Sequence, residues 1–238
     1  MPEWFEEWFG EEYLELYPHR DEAEAERAVG LIAKATGLAP DWRVLDVACG
    51  AGRHARAFRA AGARCVGLDL SLTLLRVARG VTDAPLVRGD MRYLPIRAGS
   101  MDLTVSLFTS FGYFQSDEEH AGALREMAAT IRPEGWFVID FLNPAEVRRR
   151  LVPSEVVAVR GGRAEVSRTM SDDGRFVCKT IVTPRGRRYT ERVRLFEQDQ
   201  MAGMLGDAGI HIRHRFGDYD ASPLRQNSPR TILVGCVA

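Results

Sequence analysis

Three aspartates, Asp46, Asp69 and Asp90, each stand at or near the end of a short apolar run. The first run leads into VLDVACGAGRHA, residues 44–55, where Gly50, Gly52 and Ala55 fit the spacing G-x-G-x-x-A. That spacing lets a bare backbone press against a ligand where a strand gives way to a helix. Asp69, roughly 20 residues beyond the turn, is placed to accept hydrogen bonds from both hydroxyls of a ribose. As an acid at a strand end it is expected to serve the ligand and not the core. Asp90, in GDMRYLP, suits an exocyclic amine such as that of adenine, with Met91 beside it as an apolar shelf. Asp46 would repel a pyrophosphate at the turn. Two unit charges about 4 Å apart interact by roughly 4 kcal/mol at an effective dielectric near 20, and a cation there would be favoured by as much. The three carboxylates describe a ligand with a ribose, an adenine-like amine and a positive charge, and without a phosphate.

These side chains need strands that end side by side. From residue 41 strand and helix texture alternate: RVLDVA then RHARAFRAAG, RCVGLDL then SLTLLRVARG with Ser71 as N-cap, PLVRGD, MDLTVSLF then SDEEHAGALREMAATI, and EGWFVIDF. Alternation at this spacing implies βαβ units, a parallel sheet and helices on both faces. Before it, residues 2–37 read as two helical pieces interrupted at Pro18, the first with Trp4, Phe5, Trp8 and Phe9 on one face. After about Leu151 the texture has period two, punctuated by GG, DDG and PRG, which predicts an inserted antiparallel sheet. EQDQMAGMLGDAG returns to helix, and IHIRHRF and RTILVGCV supply two last strands. The expected fold is α/β: a seven-stranded, mostly parallel, doubly wound sheet with an N-terminal helical cap (1–40), a core (41–150 and 197–238) and an antiparallel insertion (151–196) over the substrate.

Composition narrows the class. A formal net charge of −1 over 238 residues gives no field that steers nucleic acid or an anionic membrane surface. Cys49, Cys65, Cys178 and Cys236 form no C-x-x-C and read as free thiols in a reducing compartment. No apolar run approaches the roughly 20 residues of a membrane span, and the acidic, aromatic N-terminal stretch is unlike a signal peptide. A cytoplasmic protein is expected. His211 and His214 have zinc-like spacing but read as one strand face, so no metal is expected. Of 32 basic residues only Lys34 and Lys179 are lysines.

A ribose, an adenine and a cation without phosphate match S-adenosylmethionine, whose cations are an ammonium and a sulfonium. Here the chain resembles the class I S-adenosylmethionine-dependent methyltransferases. VLDVACGAGRHA is similar to that family's first motif, with Ala48 where its first glycine often stands. VGLDLS resembles the second-strand motif and GDMRYLPI the adenine motif. IRPEGWFVIDF resembles the Pro-Gly-Gly turn before the fifth strand, with Glu134 for its first glycine. LFTSFGYF and the insertion after the fifth strand are similar to small-molecule methyltransferases, including those acting on sugar amines and on glycine. The resemblance implies a cofactor site of Asp46, Ala48, Gly50, Gly52, Arg53, Asp69, Leu70, Asp90, Met91 and Leu107. It also implies N-terminal helices folded over the cofactor, with Tyr13, Tyr17 and Arg20 closing its methionine end. The implied activity is direct methyl transfer to a small-molecule acceptor by a monomer or homodimer, with neither nucleic acid nor membrane as partner. FTSFGY lacks the Pro-Pro-Tyr signature of DNA amino-methyltransferases. The residues alone single out no base: Tyr113, Gln115, Asp140 and Asn143 are expected near the mouth. Two other functions share this fold, a nicotinamide-dependent oxidoreductase and a non-catalytic nucleoside-binding protein.

Overall fold

The structure is a computed structural model that describes residues 3–17, 22–159 and 161–237. Its centre is a seven-stranded sheet in the order β10-β11-β5-β4-β1-β2-β3. The strands are β1 (Arg43–Val47), β2 (Arg64–Asp69), β3 (Leu86–Arg88), β4 (Met101–Ser106), β5 (Ile131–Leu142), β10 (Ile210–Phe216) and β11 (Arg230–Val237). The first five run parallel, and β11 is antiparallel to both β5 and β10. The predicted seven-stranded, mostly parallel sheet is therefore observed. Strand β1 lies between β2 and β4 and is buried from Val44 to Val47, as a central parallel strand covered on both faces must be.

Helices α3 (Glu22–Thr36), α4 (Arg53–Ala60), α5 (Leu72–Ala78) and α6 (Asp117–Ala129) flank the sheet. The Ser71 hydroxyl accepts from the Leu74 amide and caps α5, as its sequence position predicts. Ser116 and Glu119 form a capping box on α6. The insertion is a separate four-stranded antiparallel sheet, β6 (Ser154–Val159), β7 (Gly162–Met170), β8 (Phe176–Val182) and β9 (Arg188–Arg194), in sequential order. Helix α8 (Gln198–Asp207) returns the chain to the main sheet through β10.

Two local expectations are corrected. The first helical piece is split into α1 (Trp4–Trp8) and α2 (Glu11–Leu16), because Gly10 takes an extended conformation between them. A short helix, α7 (Pro144–Arg150), which the period-two reading missed, leads from β5 into the insertion, with proline in its first turn. Helices α1 and α2 pack on the inserted sheet: Trp8, Tyr13 and Leu16 share one apolar cluster with Ala164, Val166 and Ile181. Helix α3 instead packs on the central sheet, through Val29, Leu31 and Ile32.

Candidate active site

The glycine turn is a run of left-handed residues. Ala48, Gly50 and Gly52 have φ of 57°, 56° and 84°, and Gly52 is the N-cap of α4. Glycine adopts such angles freely, while alanine at Ala48 carries about 1–2 kcal/mol of strain. Asp69 holds the turn in place: Gly50 N–H donates to its Oδ2 and Ser71 N–H to its Oδ1, both at 2.8 Å. The carboxyl group is buried yet borders the cleft, and burial pushes its pKa up against those amide hydrogen bonds. Asp69 is thus part of the scaffold as well as a ligand candidate, which corrects the expectation that it lies outside the core.

Asp46 is 1 % exposed and lies behind the turn, outside the residues that line the cleft and its side pocket. The Ala55 backbone bonds its carboxyl group, while Oδ2 has no hydrogen-bond partner in the structure. Burial, then the charge of Asp69, raises its pKa to about 7. The charge of Arg53 and the Ala55 hydrogen bond offset this only in part.

The cleft encloses about 790 Å³, open mouth included. Asp69, Leu70, Asp90 and Met91 line one end. Asp90 is clasped by Arg92, which donates from Nη2 at 2.7 Å and from Nε to both carboxylate oxygens at 3.1 Å. Desolvation raises the Asp90 pKa, but the hydrogen bonds and charge of Arg92 outweigh it and leave it below the usual carboxylate range. Past the shared Ala48, Gly50 and Phe108 the cleft adjoins a side pocket lined by Arg53, His54 and Leu107. Arg53 is bridged to Glu24 at 3.0 Å and lies 4.1 Å over the Phe108 ring.

A second cavity of about 1260 Å³, also counting its open side, adjoins the first. Four aromatic residues, Phe9, Tyr13, Phe108 and Tyr113, line both. Its far side is a row of charges on the inserted sheet: Glu155, Arg168, Lys179 and Glu191. The loop after β4 forms the floor. Phe108 and Thr109 both have positive φ, 55° and 63°. Buried Asp140 fixes them, accepting from Phe108 N–H at 2.9 Å with its side chain and from Thr109 N–H at 3.0 Å with its backbone. It also receives the Tyr219 hydroxyl and pairs with Arg230, which lines the second cavity and lies 5.1 Å over Phe108.

Ala48, Gly50, Arg53, Asp69, Leu70, Asp90, Met91, Leu107, Tyr13 and Tyr17 all border the joined cavities. Gly52 does not: a side chain there would meet Ala78 at 3.0 Å and Thr82 at 3.1 Å, so it serves helix packing. Arg20 lies outside the described residues. Among the acceptor-side candidates, Tyr113 lines both cavities and donates to Thr109 O at 2.5 Å. Gln115 is exposed and sits between Glu3 and Arg192, away from the mouth. Asn143 is buried, its Nδ2 against the carbonyls of Arg225, Gln226 and Ser228, where it pins the β10–β11 loop. They were expected at the mouth because β4 and β5 end there, but each finds backbone or surface partners first. The sequence reading missed Phe9, Phe108, Lys179, Glu191 and Arg230. Phe108, next to Leu107 after the fourth strand, had a positional signal, whereas the others are brought in by tertiary folding alone. His214 stacks on Trp136 and Phe216, on a strand face as expected.

Known proteins resemble the chain in sequence and in fold. A family description, methyltransferase domain, matches residues 44–135. A dTDP-3-amino-3,4,6-trideoxy-alpha-D-glucopyranose N,N-dimethyltransferase of Streptomyces venezuelae is 32% identical over 215 residues, covering 82% of this chain and 85% of that protein. A demethylmenaquinone methyltransferase of Renibacterium salmoninarum is 31% identical over 182 residues, covering 75% and 70%. The CcbJ methyltransferase of Streptomyces caelestis superposes with a TM-score of 0.81 at 18% identity, over 98% of this chain and 99% of that one, a likeness of fold.

Proposed function

The chain belongs to the class I S-adenosylmethionine-dependent methyltransferases, and from that premise we propose that its strand-end cleft seats the cofactor and its second cavity the methyl acceptor. It is an enzyme whose cofactor is S-adenosylmethionine and whose reaction is methyl transfer. The cleft fits that group. Asp69 keeps lone pairs free for a ribose diol after taking two amides, and Asp90 with Met91 offers an acceptor beside an apolar shelf. The Asp46 carboxyl group, buried behind the turn with one oxygen unpartnered, adds negative potential that favours a cationic ligand. When bound, the cofactor supplies a methyl group on a sulfonium, whose leaving group is a neutral thioether that needs no acid. The protein's task is alignment, which can contribute about 7–11 kcal/mol.

The observation that carries the assignment is the shared wall of Phe9, Tyr13, Phe108 and Tyr113. A group held in one cavity reaches a group in the other only past these rings. Their faces suit a nitrogen that becomes cationic as it gains a methyl group. The charged lining opposite suits a polar acceptor of sugar size, since an apolar polyprenyl quinone would leave those charges buried and unsolvated. The acceptor is therefore a small, polar amine, as the name of the Streptomyces venezuelae relative states for that protein. We further propose that cap and inserted sheet close over it.

Transfer of radiolabelled methyl from S-adenosylmethionine tests this, with dTDP-3-amino-3,4,6-trideoxyglucose and demethylmenaquinone offered separately. Label on the amino sugar is expected. Label on the quinone alone would overturn the amine assignment.

A further inference from the structure

The inserted sheet carries a row of charges that faces the acceptor cavity. Arg168 on β7, Lys179 on β8 and Glu191 on β9 are cross-strand neighbours, register partners in turn. Lys179 Nζ bonds the Tyr17 hydroxyl, lies 4.6 Å from that ring's centroid and is 3.8 Å from Glu191 Oε2. Glu191 Oε1 accepts from Trp8 Nε1 at 2.6 Å and from the Tyr17 hydroxyl at 3.3 Å. Tyr17 borders the side pocket of the cofactor cleft and the acceptor cavity, so this group stands at their junction.

The residue type itself is informative. The chain places arginine at 30 of its 32 basic positions. Arginine stays protonated at any accessible pH, whereas a half-buried lysine can lose its proton. One of the two lysines stands where the proposed acceptor must shed a proton. An amine reaches the cavity as an ammonium, and only its free electron pair can take a methyl group.

We propose that Lys179 is the proton acceptor for the amine substrate, acting directly or through the Tyr17 hydroxyl. An N–H bond of the substrate ammonium breaks and an N–H bond forms on the neutral Lys179 amine. The substrate keeps the freed electron pair, and Lys179 becomes an ammonium beside Glu191. The proton returns to solvent when the product leaves. The half-buried position makes this proton easier to lose than that of an exposed lysine. Burial pushes the Lys179 pKa down, and Glu191 opposes it in part. The other charges around it are Arg168, which is paired with Glu155 at 2.5 Å, and, on the same cavity's walls, Arg150 of α7 and Arg230 of β11. A lysine that merely tied sheet to cap would need only its charge and its hydrogen bond to Tyr17.

The inference rests on the amine reading above, and two measurements on the full chain keep the two separable. With 15N-labelled lysine the protein carries two side-chain signals, assigned with Lys34→Arg. The Lys179 signal is expected to titrate at a lower pH than the other. Joint titration would overturn the proposal whatever the substrate. In the methyl-transfer assay with dTDP-3-amino-3,4,6-trideoxyglucose, Lys179→Arg and Lys179→Met should both lower kcat by about 100-fold or more and remove the acid limb of its pH profile. Calorimetric binding of S-adenosylmethionine should persist in both, which shows that they fold. Full activity in Lys179→Arg would overturn the proposal, because arginine keeps the charge and cannot take the proton. Failure of the wild type on this amine would instead sink the acceptor assignment, with the titration still judging Lys179.

Discussion

Asp69 reaches Gly50, 19 residues away, and Ser71, two residues away. Across the acceptor cavity, Trp8 reaches Glu191 over 183 residues and Lys179 reaches Tyr17 over 162. The cofactor side is thus assembled from turns that follow adjacent parallel strands, and its geometry is set once those strands pair. The acceptor side is assembled from the N-terminal helices, one loop and an inserted sheet, brought together late in the chain and by side chains. A site built on strand ends is held by the sheet itself, while one built on an insertion can change its lining without disturbing the sheet. That division suits an enzyme family with one cofactor and many acceptors.

The largest expected effect falls where the two regions meet. Buried Asp140 is the counter-charge of half-buried Arg230 and holds the Phe108 amide. Asp140→Ala should destabilise the protein by about 2–4 kcal/mol, because it strands the Arg230 cation and leaves the Phe108 amide without its acceptor. Urea denaturation measures this, and a loss under about 1 kcal/mol would mean that the two sides are not joined through Asp140.

Next is the pH response of the cofactor side. Asp46 is raised to about 7 in the folded chain from an ordinary 3.8. The folded state therefore holds this proton more tightly than the unfolded one. The stability this confers is complete below about pH 4 and is lost as pH rises through about 7. The slope is on the order of 1.4 kcal/mol per pH unit within that window. A bound cation favours the charged carboxylate, so affinity for S-adenosylmethionine should rise with pH over the same range. Thermal melts of the wild type and Asp46→Asn from pH 5 to 8 test the sign; parallel curves would remove Asp46 from the electrostatics of the site.

On the acceptor side, Glu191→Gln keeps the shape and weakens the seam between cap and sheet. Loss of charge-assisted hydrogen bonds from Trp8 and Tyr17 should cost about 1–2 kcal/mol. It should appear first as faster hydrogen exchange in residues 4–16, with the strands of the main sheet unchanged. Uniform exchange across the chain would show that cap and core open together.

The smallest effect is a gain. Glu134, far from the cleft, has φ of 60°, as Ala48 does in the turn. Glu134→Gly should stabilise by about 0.5–1 kcal/mol through relief of left-handed strain, and Ala48→Gly by a similar amount. A gain at only one of them would show that the other is compensated by its neighbours.

The same contrast explains what the sequence revealed. The strand runs, the Ser71 cap, the glycine turn and the three acids are local signals, and the structure has each element where its spacing predicts it. The four inserted strands were readable from alternation and turn residues. Their partner was not, since no local rule says that Trp8 will meet Glu191. Gln115 and Asn143 were misplaced for a related reason. Position at a strand end was readable, but the competing partners, Arg192 and the carbonyls of residues 225, 226 and 228, come from distant chain.

Calorimetric titration of S-adenosylmethionine into the wild type, Asp69→Ala and Glu191→Gln tests the division of labour most directly. The wild type should bind. Asp69→Ala should bind more weakly by about 1.5–3 kcal/mol, since it removes the oxygens proposed to accept from the ribose and the clamp on Gly50. Glu191→Gln should bind within about 0.5 kcal/mol of the wild type. Equal affinity in Asp69→Ala, or a larger loss in Glu191→Gln, would contradict the assignment of the cofactor to the strand ends.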